Sequence, residues 1–572
     1  MNFQYLHISG DTIGNLALLT PYLRGLTWRY LAGTLFLVIT NAFALLIPWF
    51  MKLAVDGLQT PGSAQYSPAA CALIITFLAA THCASRIASR VYILNAARLV
   101  EFQVREDLFR RLMMLDIGFY STTRTGDIMS RFSNDLTNVR MLAGFGAMSS
   151  INTVIVYSAA VYMMAGINRG LTVWAILPFP AMVFIVRILS KRLYGRSLQA
   201  QESLSRLSSL AEESVSAVRV IKSFCREEIF REEFRKGATE YLNFNVRLAQ
   251  IRALVTPIMI TATGSGVLVT LFMGGGLVAA GRITLGDYVA FSGYLAMLVW
   301  PTALMGWIMT LLQRGAASMA RLAAILTATP SVTSPEGAFP LEDITHSIEF
   351  RSASFHYSGT PAIRDISLFI AAGERIGITG PVGSGKTTLI SLLPRLLPVA
   401  DGMLFIDGID INLIDLADLR RMIGYVPQEA FLFSRSIRDN VAFGMDASDD
   451  GRIGLGIRQA GLAADIAAFG NGIETTVGER GVLLSGGQKQ RLSIARALAV
   501  NPRLLIFDDP LASVDAAHED GILDELNEYC QGRTVIIVSQ RHSAFRDCNR
   551  IVVLDEGRII EETTPEGFQS PG

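Results

Sequence analysis

The run Gly380-Pro381-Val382-Gly383-Ser384-Gly385-Lys386-Thr387 is rich in glycine and closes on a lysine and a hydroxyl. Before it, Arg375–Thr379 reads as the end of a strand, and from Leu389 onward the pattern is helical. Strand, glycine loop and helix in that order form a P-loop. Its glycines let backbone N–H groups approach a phosphate, its lysine reaches the β- and γ-phosphates, and its last hydroxyl ligates Mg²⁺. The helix start adds a dipole that favours anions. Gly380, Gly383, Ser384, Gly385, Lys386, Thr387 and Thr388 are therefore the expected nucleotide-binding residues, within an α/β fold.

Upstream the composition changes. Of 572 residues, 51% are apolar and only 17% charged, and the charges crowd after residue 340. A chain of this length needs more than one core. The net charge is zero, so there is no basic footprint and nucleic acid is excluded as a partner. The five cysteines lack metal spacing and are read as free thiols. Six stretches contain no Asp, Glu, Lys or Arg: Tyr30–Met51, Ser67–Ser85, Met141–Asn168, Leu171–Val186, Ala253–Gly281 and Tyr288–Gln313. Each is long enough, or nearly so, to cross a bilayer as a helix. No acid or base is counted deep in them, so no ion relay is expected. The first 29 residues do not form a secretory signal, and the first apolar span is expected to remain as an anchor.

Connections alternate in length. Asn168–Gly170 and Arg282–Asp287 are short, whereas Arg86–Arg140 and Arg187–Arg252 are long and rich in arginine. Positive residues mark the cytoplasmic side, which places both termini there. Val104, Leu108, Leu112 and Leu115 recur at helical spacing, as do Leu204, Leu207, Ala211, Val215 and Val218. The helices should thus extend past the bilayer, turning at Ser121–Asp127 in one pair and around Phe224–Phe234 in the other. The expected domains are a transmembrane domain at 1–328, a Pro- and Gly-broken linker at 329–345 and a nucleotide-binding domain at 346–572.

Within the last domain Leu504-Leu505-Ile506-Phe507 ends on Asp508, where a magnesium-binding carboxylate belongs, and Leu484-Ser485-Gly486-Gly487-Gln488 lies ahead of it. On these motifs the chain resembles the ATP-binding cassette family, of which the pentapeptide is the signature. Six spans with one fused cassette resemble the half-transporters of its multidrug exporter type. The resemblance implies an all-α six-helix membrane domain fused to an α/β P-loop domain, set in the bacterial inner membrane. It implies head-to-tail pairing of two cassettes, so that Ser485, Gly486, Gly487 and Gln488 would contact ATP held by a partner. It implies that Tyr357 stacks on adenine and that Gln428 binds Mg²⁺ or the attacking water beside Thr387 and Asp508. It also implies that Ser513 and Asp515 cross the dimer interface and that Glu479 faces the membrane helices.

Two positions depart from the family pattern. Asp509 stands where the family carries Glu, and Gln540 where it carries the switch His. One methylene fewer shortens the reach of a general base by about 1.5 Å, and an error of about 1 Å can cost ~10²-fold in rate. Gln carries no charge in any protonation state. His542, two residues along an expected strand, would sit about 6–7 Å away. Asp509, Gln540 and Gln428 are the expected catalytic set, with Asp509 and Gln540 impaired. An impaired site beside an intact signature implies a non-identical partner half-transporter. The alternatives are a slow homodimeric exporter and an ATP-gated channel or regulator. Phe291, Tyr294, Trp300 and Trp307 line a cavity for lipophilic or amphipathic cargo on one reading and pack against helices or lipid on the other, with Pro301 a potential kink.

Overall fold

The structure, a computed structural model, describes residues 14, 17–59, 66–357, 359–445, 447–510 and 516–567. It divides into two compact units. One contains the chain up to Met113 together with Thr125–Ala328, and the other joins Met114–Arg124 to the chain from Thr329 onward. Ser513 and Asp515 lie outside the described residues.

The first unit is helical. Among the described residues five helices are long and apolar enough to cross a membrane: Thr27–Gln59, Pro68–Met114, Thr125–Ile167, Glu227–Ala279 and Leu285–Leu326. They contain the first and sixth expected spans whole, and the second, third and fifth but for one or two end residues. The fourth, Leu171–Val186, does not qualify. It is split between the helices Arg169–Ile176 and Pro178–Ser216, because Pro178 cannot donate to the preceding turn. At 47 residues the Pro68–Met114 helix is about 70 Å long, well beyond a bilayer core of about 30 Å. Its stripe Val100, Val104, Leu108 and Leu112 is buried, as the spacing requires. The stripe expected on Pro178–Ser216 holds in part. Leu204, Leu207 and Ala211 are half-buried on the face that carries the buried Ala200 and Ser203, whereas Val215 and, just beyond that helix, Val218 are 74% and 45% exposed.

Both expected turns take other forms. Thr125–Asp127 is already helical, and Asp116 caps the short helix Ile117–Thr122 by accepting from Phe119 N at 3.3 Å. The second turn occupies only Phe224–Arg226, with Cys225 at φ 52°, and Phe230 and Phe234 lie inside the next helix. The Leu285–Leu326 helix runs unbroken through Pro301. Phe291 and Tyr294 are completely buried in the helix core, whereas Trp300 is exposed and Trp307 packs edge-on to Phe145 at 5.0 Å. Packing is thus the role of the first two.

Polar groups tie this unit together. Asn41 donates to Asn152 Oδ1 at 3.0 Å. His82 Nδ1 is 3.0 Å from Thr40 O, and it lies 14 residues into its helix, about 21 Å along the axis. His82 is a base within the second charge-free stretch, three residues before its end at Ser85 and so not deep in it. Further along, Asp135 is 4% exposed, accepts from Arg321 Nε at 2.9 Å and from Ser318 Oγ at 2.8 Å, and Arg131 donates to Arg321 O at 3.0 Å.

Among the described residues the second unit holds ten strands: β1 (Ser347–Tyr357), β2 (Thr360–Ala371), β3 (Arg375–Thr379), β4 (Leu404–Ile406), β5 (Ile409–Asp410), β6 (Ile423–Val426), β7 (Leu504–Asp508), β8 (Thr534–Val538), β9 (Arg550–Asp555) and β10 (Arg558–Thr563). Four make the antiparallel sheet β2-β1-β4-β5, and six make the sheet β10-β9-β3-β8-β7-β6. In the larger sheet all pairs are parallel except β9 with β10. Its inner parallel strands are largely apolar because parallel sheets are covered on both faces, and all of β7 is buried, whereas β10, at the edge, is polar and mostly exposed.

Candidate nucleotide site

The site forms at the carboxyl ends of the parallel strands, where ligands of open α/β sheets bind. β3 delivers Gly380, and the loop runs to Gly385, which precedes the helix Lys386–Leu392. Two of its glycines are required by geometry. Gly380 has φ 145°, and a Cβ there would lie 2.0 Å from Leu554 O; Gly385 has φ 100°, and a Cβ would lie 2.6 Å from Ala362 O. The first turn of the following helix leaves backbone N–H groups at Lys386, Thr387 and Thr388 without intrahelical acceptors. Gly383 at φ 84° leaves its position open, and Ser384 is buried.

Lys386 folds over this loop. Its Nζ donates to Gly380 O at 2.8 Å, Pro381 O at 2.7 Å and Ser384 Oγ at 3.3 Å. Burial lowers the pKa of its ammonium, and the carboxylates of Asp508 and Asp509 oppose that shift. Asp508 is 3% exposed at the end of β7. Burial raises its pKa; a hydrogen bond from the Thr387 hydroxyl and the Lys386 charge pull the other way, and Asp509 adds to the rise. The Thr387 hydroxyl and the buried Asp508 carboxylate, side by side, are hard oxygen donors. They fit Mg²⁺ carried in on a nucleotide triphosphate.

Strand pairing gathers the other candidates. Val426 pairs with Phe507, so Gln428, two residues past β6 and exposed, lies at the edge shared with Asp508. Asp508 pairs with Val538, which brings Asp509 next to Ser539 and Gln540. Ser539 Oγ donates to Asp509 Oδ1 at 3.2 Å and accepts from Arg541 N at 3.0 Å. Asp509 adopts φ 50°, in the left-handed region, and Gln540 is exposed. His542 is not on a strand: β8 ends at Val538, and His542 opens the 3₁₀ turn His542–Phe545. Spacing along a strand therefore does not describe its distance from the site.

Tyr357 closes β1, is 47% exposed and packs edge-on to Phe355 at 4.9 Å. The signature caps a second helix, Gly486–Ala499. Ser485 Oγ accepts from Gln488 N at 3.2 Å while Gln488 Oε1 accepts from Ser485 N at 2.9 Å, a complete capping box. Gln488 Nε2 donates to Asp465 Oδ1 at 2.9 Å, and Asp465 also pairs with Arg491 at 2.9 Å. Ser485 and Gly486 are exposed and Gly487 is half-buried. Gln488 is thus engaged within its own cassette, and the free surface of the signature is Ser485 to Gly487. Glu479, exposed, begins the turn Glu479–Gly481 just ahead of it.

Comparison with known proteins agrees with this geometry. Residues 30–302 match the family model of the ABC transporter transmembrane region, and residues 363–512 match that of the ABC transporter. The chain is 36% identical to the probable multidrug resistance ABC transporter ATP-binding/permease protein YheI of Bacillus subtilis, over 82% of this chain and 81% of that one. It is 33% identical to the multidrug resistance-like ATP-binding protein MdlA of Escherichia coli, over 95% and 92%. The structure of a bacterial Atm1-family ABC exporter with ATP bound superposes with a TM-score of 0.79 at 27% identity, covering 94% of this chain and 96% of the other. The chain belongs to the ABC transporter family: a helical membrane domain fused to an ABC nucleotide-binding domain, with ATP hydrolysis coupled to export.

Proposed function

We propose that this ABC exporter chain is one half of a two-chain pump for a lipophilic or amphipathic compound, and that its own P-loop holds ATP which it hydrolyses slowly. Residues 1–328 form the membrane domain, 329–345 the linker and 346–572 the cassette, with both termini on the cytoplasmic side of the inner membrane. The observation that carries the reading is that Asp509 and Gln540 both lie just past the paired carboxyl ends of β7 and β8, while the phosphate loop and the signature on the same cassette are complete.

ATP and Mg²⁺ bind through Lys386, the N–H groups from Gly383 to Thr388, Thr387, Asp508 and Gln428, with Tyr357 against the base. Mg²⁺ supplies charge neutralisation across the phosphates. The chemistry also needs a carboxylate aimed at the attacking water and a donor on the γ-phosphate. Asp509 is short for the first task, and its Oδ1 is already bonded to Ser539. Gln540 offers an uncharged amide for the second. The signature, Ser485 to Gly487, instead serves ATP held on an unlike partner, whose own base and switch residue complete the fast site. The multidrug names of the two relatives favour an apolar cargo.

The test is ATPase activity of the chain purified alone and then together with a candidate partner half-transporter. The expected result is slow turnover alone and fast turnover with the partner. Brisk hydrolysis by the chain alone contradicts the reading.

A further inference from the structure

Behind the short helix Thr20–Arg24 a cavity of about 560 Å³ opens in the helical unit. That size is within the range of small-molecule sites, about 300–1,000 Å³. Its walls are mostly apolar, among them Leu19, Leu142, Ile151 and Leu312, and its charged member is Arg24. One wall is built on the π-turn Leu142–Gly146, inside which Ala143 O accepts from the Tyr30 hydroxyl at 3.2 Å. Such turns insert a residue into a helix and recur at functional positions.

The position of Arg24 gives the cavity a direction. Arg24 is exposed, and among the described residues no carboxylate pairs with it. The exposed apolar face of the next helix starts just after it, at Trp28, Leu31 and Leu35, each at least 60% exposed. A tryptophan and an unpaired arginine at the start of an apolar helix mark the level where headgroups meet hydrocarbon. The cavity therefore pairs an apolar interior with one cation at headgroup depth.

We propose that this cavity is a binding site for an anionic membrane phospholipid, with part of an acyl chain among Leu142, Ile151 and Leu312 and the headgroup phosphate on Arg24. A free phosphate would make no use of the apolar walls, and a neutral lipid would make none of Arg24. A lipid lodged there would wedge between the Thr20–Arg24 helix and the π-turn and hold their separation.

The test counts bound lipid on the full-length exporter by native mass spectrometry. The protein is taken from neutral detergent and titrated with phosphatidylglycerol or with phosphatidylcholine of the same chains. Wild type should retain phosphatidylglycerol about fivefold more tightly, the factor for one arginine at an anionic surface. Arg24→Gln, a change at an exposed position, should abolish that preference while neutral lipid still binds. Ala147→Trp should fill the cavity and remove both. Glycerol phosphate should fail to compete, and its competition would identify a phosphate site and overturn the lipid reading. Equal retention of the two lipids by wild type, or unchanged preference in both variants, also overturns the proposal. So does weakened association between chains in Ala147→Trp with lipid preference intact, since a second chain would then cover the face. ATP binding, measured in parallel, reads the cassette independently, so failure here is separable from failure of the exporter reading.

Discussion

Ser539 Oγ donates to Asp509 Oδ1 at 3.2 Å, across the parallel pair β7 and β8. The carboxylate proposed to face the attacking water is therefore a methylene shorter than Glu and already bonded to Ser539. Asp509 also sits at φ 50°, a region that Asp tolerates better than most residues with a Cβ. The departure at this position thus involves backbone as well as reach.

Asp508 offers a pH-linked check. Its pKa is raised by burial, so the charged form is disfavoured in the nucleotide-free fold. A carboxyl raised on folding costs no stability below its unfolded pKa, and the cost is complete above its folded pKa. At neutral pH, Asp508→Asn should therefore raise the Tm of the nucleotide-free protein while weakening Mg²⁺-dependent ATP binding. As pH falls into the acidic range the Tm difference should shrink. Thermal melts with and without Mg-ATP across that range decide it, and a lower Tm for the variant at neutral pH would count against a carboxylate whose charge is disfavoured by burial.

Lys386→Ala and Ser485→Arg should act on different sites. Ser485 is exposed at the start of its helix, where a large cation would block approach of a partner's γ-phosphate. In the assembled exporter Ser485→Arg should cut ATPase activity at least about tenfold, ~1.4 kcal/mol in the barrier. Lys386→Ala should cost less than about threefold. Steady-state ATPase of both variants in one preparation gives the order, and the reverse order would place the fast site on this chain's own P-loop.

The pair Asp135–Arg321 should respond asymmetrically. Asp135 has 5% of its side chain exposed and Arg321 41%. Arg321→Ala leaves a buried carboxylate short of its main partner, which costs roughly 3 kcal/mol or more. Asp135→Ala leaves an arginine that can reach water and should cost about 1–2 kcal/mol. Melting in detergent should show the larger Tm loss for Arg321→Ala; equal losses would mean that burial of Asp135 is not the controlling term.

Motifs whose chemistry is local could be read from the sequence. Gly380 to Thr387 and Leu484 to Gln488 each supply loop, cap and helix start within one run, and apolar spans declare themselves by length. What was hidden depends on partners far along the chain. Asp135 meets Ser318 and Arg321 more than 180 residues away. The inward face of Pro178–Ser216 is chosen by its neighbours, so Val215 stays exposed despite correct spacing. The position of His542 depended on where β8 stops, and strand ends are weakly encoded.

The central claim is that Asp509 and Gln540 are what slows this chain's own site. Asp509→Glu combined with Gln540→His returns the missing methylene and the missing imidazole, and can be measured in the assembled exporter with the partner's catalytic base removed. Residual hydrolysis at this chain's P-loop should rise by roughly 10–10²-fold, with a somewhat lower Tm because Glu tolerates the left-handed backbone at 509 less well than Asp. A double variant that binds ATP normally yet hydrolyses it no faster than the unaltered chain would contradict the claim.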